Sequence, residues 1–340
     1  MRGKPVVGIT MGDASGIGPE VIVKCLMDKD VYEICNPIVI GAADVVEDAA
    51  SRFGKKTKVN AVKDVEEANF SFGTVDVLDL RNLALNEFSP GETGTAAGRA
   101  SVEYVEKAVQ LALSGRIDAI ATAPINKEAV NRAGYTYPGH TEILSHLTNC
   151  EDYAMMLASG TLRVVHLSTH LSLVEACSRV KRQNVLKTIF ITHSSMQSLG
   201  YRSPKIAVAG INPHAGEGGL FGKEEILEIS PAIMEARTRG VNVSGPYPPD
   251  SVFLRASKGE FDVVVAMYHD QGHIAVKMLG LEEGVNITIG LPVIRTSVDH
   301  GTAYDIAWKG LADPQSMKKA IKVAAEMASG KANALTGKAS

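Results

Sequence analysis

Short β-branched runs alternate with longer helical patterns along this chain, an order that commits it to parallel strands joined by crossover helices. The spacing predicts strands over Pro5–Thr10, Pro37–Gly41, Val75–Leu78, Asp118–Ala123, Arg163–Leu167, Lys205–Ile211 and Phe261–Met267. Helices are predicted over Pro19–Met27, Thr95–Ser114, Asn184–Leu199, Glu224–Arg239 and Asp313–Met327. Five of the strands run straight into polar residues. Thr10 leads to Met11-Gly12-Asp13, Ala123 to Pro124-Ile125-Asn126-Lys127, and Leu167 to Ser168-Thr169-His170. Ile211 leads to Asn212-Pro213-His214, and Met267 to Tyr268-His269-Asp270. In open α/β sheets ligands bind at the carboxyl ends of strands, so these five ends point to one shared site.

Composition narrows the function. A length of 340 residues suits about two domains or one large α/β unit, and 45% hydrophobic residues supply a core that excludes disorder. Lys plus Arg is 35 against 38 Asp plus Glu, a net charge of −3 with no basic cluster, which argues against nucleic-acid binding. Aromatics at 5% leave no stacking platform for single strands. Cys25, Cys35, Cys150 and Cys177 fall at irregular spacings, as expected for reduced thiols in a cytoplasmic enzyme. The opening MRGKPVVGITMGD lacks the apolar core of a signal peptide and reads as a first strand. Apolar runs such as VVVAM and IAVAGI fall well short of the roughly 20 residues of a membrane span. No linker marks a lobe boundary, and the Ala/Lys/Gly-rich stretch after Ser329 is expected to fray.

His170, His214 and His269 each follow a predicted strand. Imidazoles suit zinc, cobalt, nickel or iron, and three of them leave positions open for substrate oxygens. Each alone reads more readily as a loop histidine with an ordinary hydrogen bond; their common placement, with Glu217 and Asp270 nearby, brings a metal site level with that reading. The i,i+4 pairs His166/His170 and His269/His273 imitate a helical zinc pair, but His166 lies within a strand pattern and is discounted. Gly12–Glu20 follows a strand and opens a helix with Pro19 in its first turn, a place that favours anions, yet it matches no dinucleotide or phosphate-loop motif. His214 opens the glycine-rich Ala215-Gly216-Glu217-Gly218-Gly219. In Pro138-Gly139-His140-Thr141-Glu142 a hydroxyl could cap the next helix, or His140 and Thr141 could donate to a phosphate or carboxylate. Lys277 and Asn286 follow His269, and Arg295 ends an apolar run where either a solvated side chain or an anion clamp fits. Ser297–Ala307 carries no physical signature beyond a turn.

Taken together, GITMGDASGIGPE, TAPINKEA, YPGHTE, STHLSL, INPHAGEGG, AMYHDQGH and VNITIGLPVIRTSVDHGTAYDIA resemble the 4-hydroxythreonine-4-phosphate dehydrogenase family along nearly the whole chain. DHGTAYDIAWKGLADP is also similar to the cofactor loop of isocitrate and isopropylmalate dehydrogenases. The resemblance implies an α/β fold of two α/β/α lobes with a cleft between them. Lobe one, on the cofactor side, would comprise residues 1–125 plus 285–340, and lobe two, on the metal, substrate and dimer side, residues 126–284. It implies a homodimer whose active site includes residues of both subunits. It places metal ligands on His170, His214 and His269, and substrate contacts on His140, Thr141, Lys277, Asn286 and Arg295. Lys277, Asp270 and Asp250 take the catalytic positions, with Lys277 and Asp270 as candidate bases. NAD or NADP would contact Asn286, Leu291, Pro292, Asp299, His300, Gly301 and Asp305, and the metal would be zinc, with magnesium, cobalt or manganese as alternatives.

Two positions depart from the family pattern. Ala14 stands where proline is usual, and His273-Ile274 replaces the leucine-proline pair of biosynthetic members. The histidine version resembles a branch acting on D-threonate or D-erythronate phosphorylated at C4. The expected activity is therefore metal- and nicotinamide-dependent oxidation and decarboxylation of a 4-phosphorylated four-carbon β-hydroxy acid. 4-Phosphooxy-L-threonine leads, with the two sugar acids as the alternative. A phosphate acyltransferase or a non-catalytic metabolite-binding protein is the alternative of another class.

Overall fold

A computed structural model describes residues 3–54, 57–279 and 284–330; the tail expected to fray lies, from residue 331, outside the described residues. The chain divides into two compact units. One runs to Glu151 and resumes over Leu291–Ser329; the other spans Asp152–Gly290.

The first unit is built on strands β1 (Val6–Thr10), β2 (Asn36–Gly41), β3 (Lys58–Val62), β4 (Thr74–Asp79), β5 (Ala119–Thr122) and, after the chain returns, β12 (Arg295–Ser297). They pair in the order β3-β4-β2-β1-β5-β12, all parallel. The inner strands are buried almost throughout, as sheets covered by helices on both faces require. Helices α1 (Gly18–Leu26), α2 (Lys29–Ile34), α3 (Ala43–Phe53), α4 (Thr95–Leu113), α5 (Lys127–Arg132), α6 (His140–Thr148) and α12 (Gln315–Ala328) complete the unit. Because β2 lies on one side of β1 and β5 on the other, the strand order reverses at β1. That reversal brings the carboxyl ends of β1 and β5 together, and Asp13 N donates to Pro124 O at 2.9 Å.

The second unit holds β6 (Ala154–Ser159), β7 (Leu162–His166), β8 (Ile206–Ala209), β9 (Val243–Tyr247), β10 (Val263–Ala266) and β11 (Val285–Ile289), in the order β11-β6-β7-β10-β8-β9. Helices α7 (Leu173–Arg179), α8 (Arg182–Ser198), α9 (Ser230–Thr238), α10 (Pro249–Ser257) and α11 (His269–Lys277) belong with it. A core of Leu157, Leu162, Val164, Ala207, Val252 and Val264 lies beneath them. Among the described residues no helix is long and apolar enough to cross a membrane.

The seven predicted strands and five predicted helices are all present, with three corrections. β7 pairs antiparallel with β6, and β6 antiparallel with β11, so the second sheet is mixed rather than wholly parallel. Pairing with β6 also keeps 285–289 in the second unit, so the division falls at Gly290 rather than at 284. Residues 126–151 join the first unit rather than the second, because α5 and α6 pack on α4 and bury Val130, Ile143 and Leu144 in its core.

Glu20, fully buried in α1, shows how tightly the first unit is tied. It accepts Lys24 Nζ at 2.7 Å and the backbone N–H groups of Ala312 at 2.9 Å and Gly310 at 3.2 Å. Glu20→Ala should cost about 1–3 kcal/mol for each backbone donor left unsatisfied. A fall in melting temperature of several degrees is expected; an unchanged melting temperature would show that those donors find other partners.

Candidate active site

In the second unit β7, β10 and β8 lie side by side and parallel, so their carboxyl ends share one edge. His170, His269 and His214 follow those three strands. The His170 and His269 rings stand 5.9 Å apart between centroids. His214 is carried on the turn after β8, with Phe221 edge-on at 6.1 Å. Among the described residues no three His, Cys, Asp or Glu side chains converge closely enough to hold a metal. The donor chemistry nevertheless fits one. His269 Nδ1 lies 2.7 Å from Asp270 Oδ1, and His214 Nδ1 lies 3.2 Å from Glu217 Oε2. A carboxylate on one ring nitrogen fixes the tautomer and leaves Nε2 as the ligand atom.

Behind His269 stand two further histidines. His273, one turn along α11, stacks on His269 at 3.6 Å with 13° between the planes. Its Nδ1 is 3.2 Å from His166 Nε2, and His166 Nδ1 is 3.3 Å from Met155 O. Burial, reinforced by its histidine neighbours, pushes His166 down to about 3. His166 lies within β7, in keeping with setting aside a helical His166/His170 pair, whereas the i,i+4 spacing of His269 and His273 signals their stack on α11. A small recess beside His269 is lined by Ser168, Thr169, Leu171, Tyr268 and Asp270.

The other second-unit candidates are more dispersed. Lys277 ends the helix that His269 begins, eight residues or about 12 Å further along its axis. Asp250 is exposed in the first turn of α10, after the edge strand β9. Asn286 lies on β11; its Nδ2 faces Met155 Sδ at 3.0 Å, while its Oδ1 is buried without a partner.

In the first unit Arg295 opens β12 and is 3% exposed. Its Nε and Nη2 donate to Thr122 Oγ1, at 3.2 and 2.8 Å, from the end of the neighbouring strand β5. Burial pulls its guanidinium down to about 9, against the opposing influence of the Glu142 carboxylate, so it remains cationic at neutral pH. His140 opens α6 with Nε2 buried and unpartnered. Burial first, and the Arg295 charge second, hold it well below the usual histidine range. A neutral imidazole with an idle nitrogen near a buried guanidinium suits an anionic ligand. Thr141 does not cap this helix as a turn reading allowed: Gly139 is the N-cap, with no side-chain bond, and Thr141 lies one residue inside.

The Gly12–Glu20 motif packs against the segment that follows Asp299. Asp13 is buried, which raises its pKa; it accepts Tyr304 O–H at 2.7 Å and Ser15 N at 2.8 Å. Ile17 N donates to Thr302 O at 3.0 Å, and Trp308 Nε1 to Ala14 O at 2.8 Å. A side chain at Gly16 would meet Thr302 O at 2.8 Å, so the glycine permits this close approach. The motif thereby fixes the 299–308 segment. There Asp299 N donates to Ser316 Oγ, and Lys309 Nζ to Asp305 O. His300 Nδ1 lies 3.0 Å from Gly301 O with Nε2 buried and unpartnered, while Gly301 is exposed. Leu291 packs on the first core, and Pro292 is exposed beside it. The idle Nε2 of His300 fits a polar ligand.

Polar and cationic groups thus gather at the ends of parallel strands, the place where open α/β enzymes bind small ligands. The chain belongs to the family described as pyridoxal phosphate biosynthetic protein PdxA, which it matches over residues 33–324. It is 51% identical over 329 residues to the D-threonate 4-phosphate dehydrogenase of Cupriavidus necator, covering 96% of this chain and 98% of that protein. A solved 4-hydroxythreonine-4-phosphate dehydrogenase from Burkholderia phymatum superposes with a TM-score of 0.88 at 49% identity, covering 96% of this chain and 99% of that one. Another from Klebsiella pneumoniae gives 0.90 at 44%, covering 96% and 98%. The protein is therefore a dehydrogenase, an oxidoreductase acting on a CH–OH group, which sets aside the acyltransferase and non-catalytic alternatives.

His140 and His166, both held neutral by burial, bind protons in the unfolded chain at a higher pH than in the fold. Their contribution is full above about pH 6.5 and is lost as the pH falls below it, because only the unfolded state then gains protons. In urea unfolding between neutral pH and about pH 5, His140→Gln should flatten the loss by up to about 1.4 kcal/mol per pH unit. An identical pH slope in variant and parent would refute the neutral buried imidazole.

Proposed function

We propose that the enzyme oxidises the C3 hydroxyl of D-threonate 4-phosphate, or of its erythronate epimer, in preference to 4-phosphooxy-L-threonine. The observation that carries the anionic substrate is the buried pair of Arg295 and His140, a guanidinium and an idle imidazole nitrogen beside the Thr122 hydroxyl. The choice of sugar acid rests on His273-Ile274 and on the activity carried in the name of the Cupriavidus necator relative.

In this reading Arg295, His140 and Thr141 take the phosphate or carboxylate, so that binding energy remote from C3 orients the reacting carbon. Lys277 accepts the hydroxyl proton, since Asp270 is engaged with His269 and orients that ring. Asn286 offers its unpartnered Oδ1 to a hydroxyl. His170, His214 and His269 would hold a divalent ion, zinc or else magnesium, cobalt or manganese, which when bound lowers the pKa of a hydroxyl. NAD or NADP, contacted by Asn286, Leu291, Pro292, Asp299, His300, Gly301 and Asp305, would receive the hydride. Oxidation at C3 leaves a carbonyl β to the carboxylate; as carbon dioxide departs, the C1–C2 bonding pair passes to the C3 carbonyl as an enolate, which regains at C2 the proton that Lys277 accepted. Leu220, Phe221, Ile226 and Leu227 expose apolar surface around the His214 turn. A second copy seated there would make the homodimer with a shared active site.

The three phosphorylated acids, offered separately with NAD, test the reading. Reduced nicotinamide should form with D-threonate or D-erythronate 4-phosphate, with kcat/KM at least roughly tenfold above that for 4-phosphooxy-L-threonine. A preference for the amino acid would overturn the choice of substrate, and no reduction with any of the three would overturn the whole proposal. Arg295→Met should raise KM for the preferred acid roughly 10²-fold, the scale of losing one partner of a buried charge pair.

A further inference from the structure

The turn that carries His214 has an improbable backbone. His214, Ala215, Gly216, Glu217 and Gly218 have φ of 53°, 55°, 79°, 42° and 68°, five successive residues in the left-handed region. Three of them carry a Cβ that opposes this conformation. Such a run persists only where its surroundings over-determine it.

The over-determining group is Glu225, 2% exposed, in a π-helical turn over Glu225–Ile229 that leads into α9. Its Oε1 accepts the backbone N–H groups of Ile211 and Asn212, each at 2.8 Å, where the chain leaves β8. Its Oε2 accepts Asn212 Nδ2 at 2.9 Å. The carboxylate also fills the space that side chains at two glycines would need: a Cβ on Gly216 would lie 2.7 Å from Oε2, and one on Gly210 3.0 Å from Oε1. The entry to the turn and its midpoint are thus moulded around one buried side chain. A π-turn widens a helix locally, which lets a residue of the helix start reach sideways to the strand end.

We propose that Glu225 is the positioning residue of the His214 turn, holding this left-handed segment so that the His214 imidazole is presented to a divalent metal. The inference rests on the reading of His214 as a ligand. Glu225 touches no reacting atom; it acts through the backbone of Ile211 and Asn212 and through the Gly216 cradle.

The test is Co²⁺ binding to the full-length protein, read by competition with a chromophoric chelator and by the visible spectrum of the bound ion. Glu225→Ala should weaken Co²⁺ binding roughly 10- to 100-fold and alter the spectrum, the scale found when groups supporting metal ligands are removed. Gly216→Ala, which presses on the carboxylate from the other side, should do the same and stands in if the first variant does not fold. Glu225→Gln, which keeps an acceptor for the two backbone donors, should recover most of the affinity. A purely structural role would lower the melting temperature in chelator while leaving affinity and spectrum as in the parent, and that result would overturn the proposal. Absence of Co²⁺ binding by the parent itself would instead overturn the metal reading and the proposal with it.

Discussion

A parallel strand covered by helices on both faces can release polar groups only where it ends, and the chemistry of this protein follows from that constraint. Every buried strand residue must spend its amide and carbonyl in the ladder, so side chains able to bind an anion, a proton or a metal collect at the carboxyl edges. In the second unit three neighbouring strands deliver His170, His269 and His214 to one edge. In the first, β5 and β12 deliver Thr122 and Arg295. Burial then does the tuning: it keeps His140 and His166 neutral and leaves Arg295 charged with a hydroxyl for company.

The glycine-rich segments divide between two uses. Gly12–Glu20 reads as a ligand loop, yet Asp13, Ala14 and Ile17 bind Tyr304, Trp308 and the Thr302 carbonyl, making it the seat of the 299–308 segment. Ala215–Gly219 is the reverse case. Its residues adopt the left-handed turn that carries His214, and the glycines make room for the Glu225 carboxylate. Glycine content alone cannot separate these uses, because what distinguishes them is the neighbour that approaches the missing side chain.

Much of this was legible in the sequence wherever the signal was local. The apolar runs of β1, β2, β4, β5, β7, β8 and β10 announce themselves, and so do the histidines that follow three of them. The edge strand β3, KVNAV, is half-exposed and weakly patterned; β12 has only three residues; and β9 carries a glycine and a proline within VSGPY. β6 and β11 are apolar enough, but their antiparallel pairing is a tertiary fact that no spacing encodes. The unit boundaries were misread for the same reason, since no linker marks them and the packing of α5 and α6 on α4 decides them. Glu225 gave no warning, being one glutamate in an acidic helix start whose partners lie 13 and 14 residues upstream. Thr122 was equally silent, because its meaning depends on an arginine 173 residues away.

If His170, His214 and His269 hold a divalent metal at their sheet edge, oxidation of the phosphorylated hydroxy acid depends on that ion. The most direct measurement follows nicotinamide reduction with D-threonate 4-phosphate in protein stripped by a chelator, before and after a single divalent metal is restored. Turnover should be lost on stripping and return with zinc, cobalt, manganese or magnesium, but not return in His269→Ala. Undiminished reduction in the stripped protein would contradict that dependence.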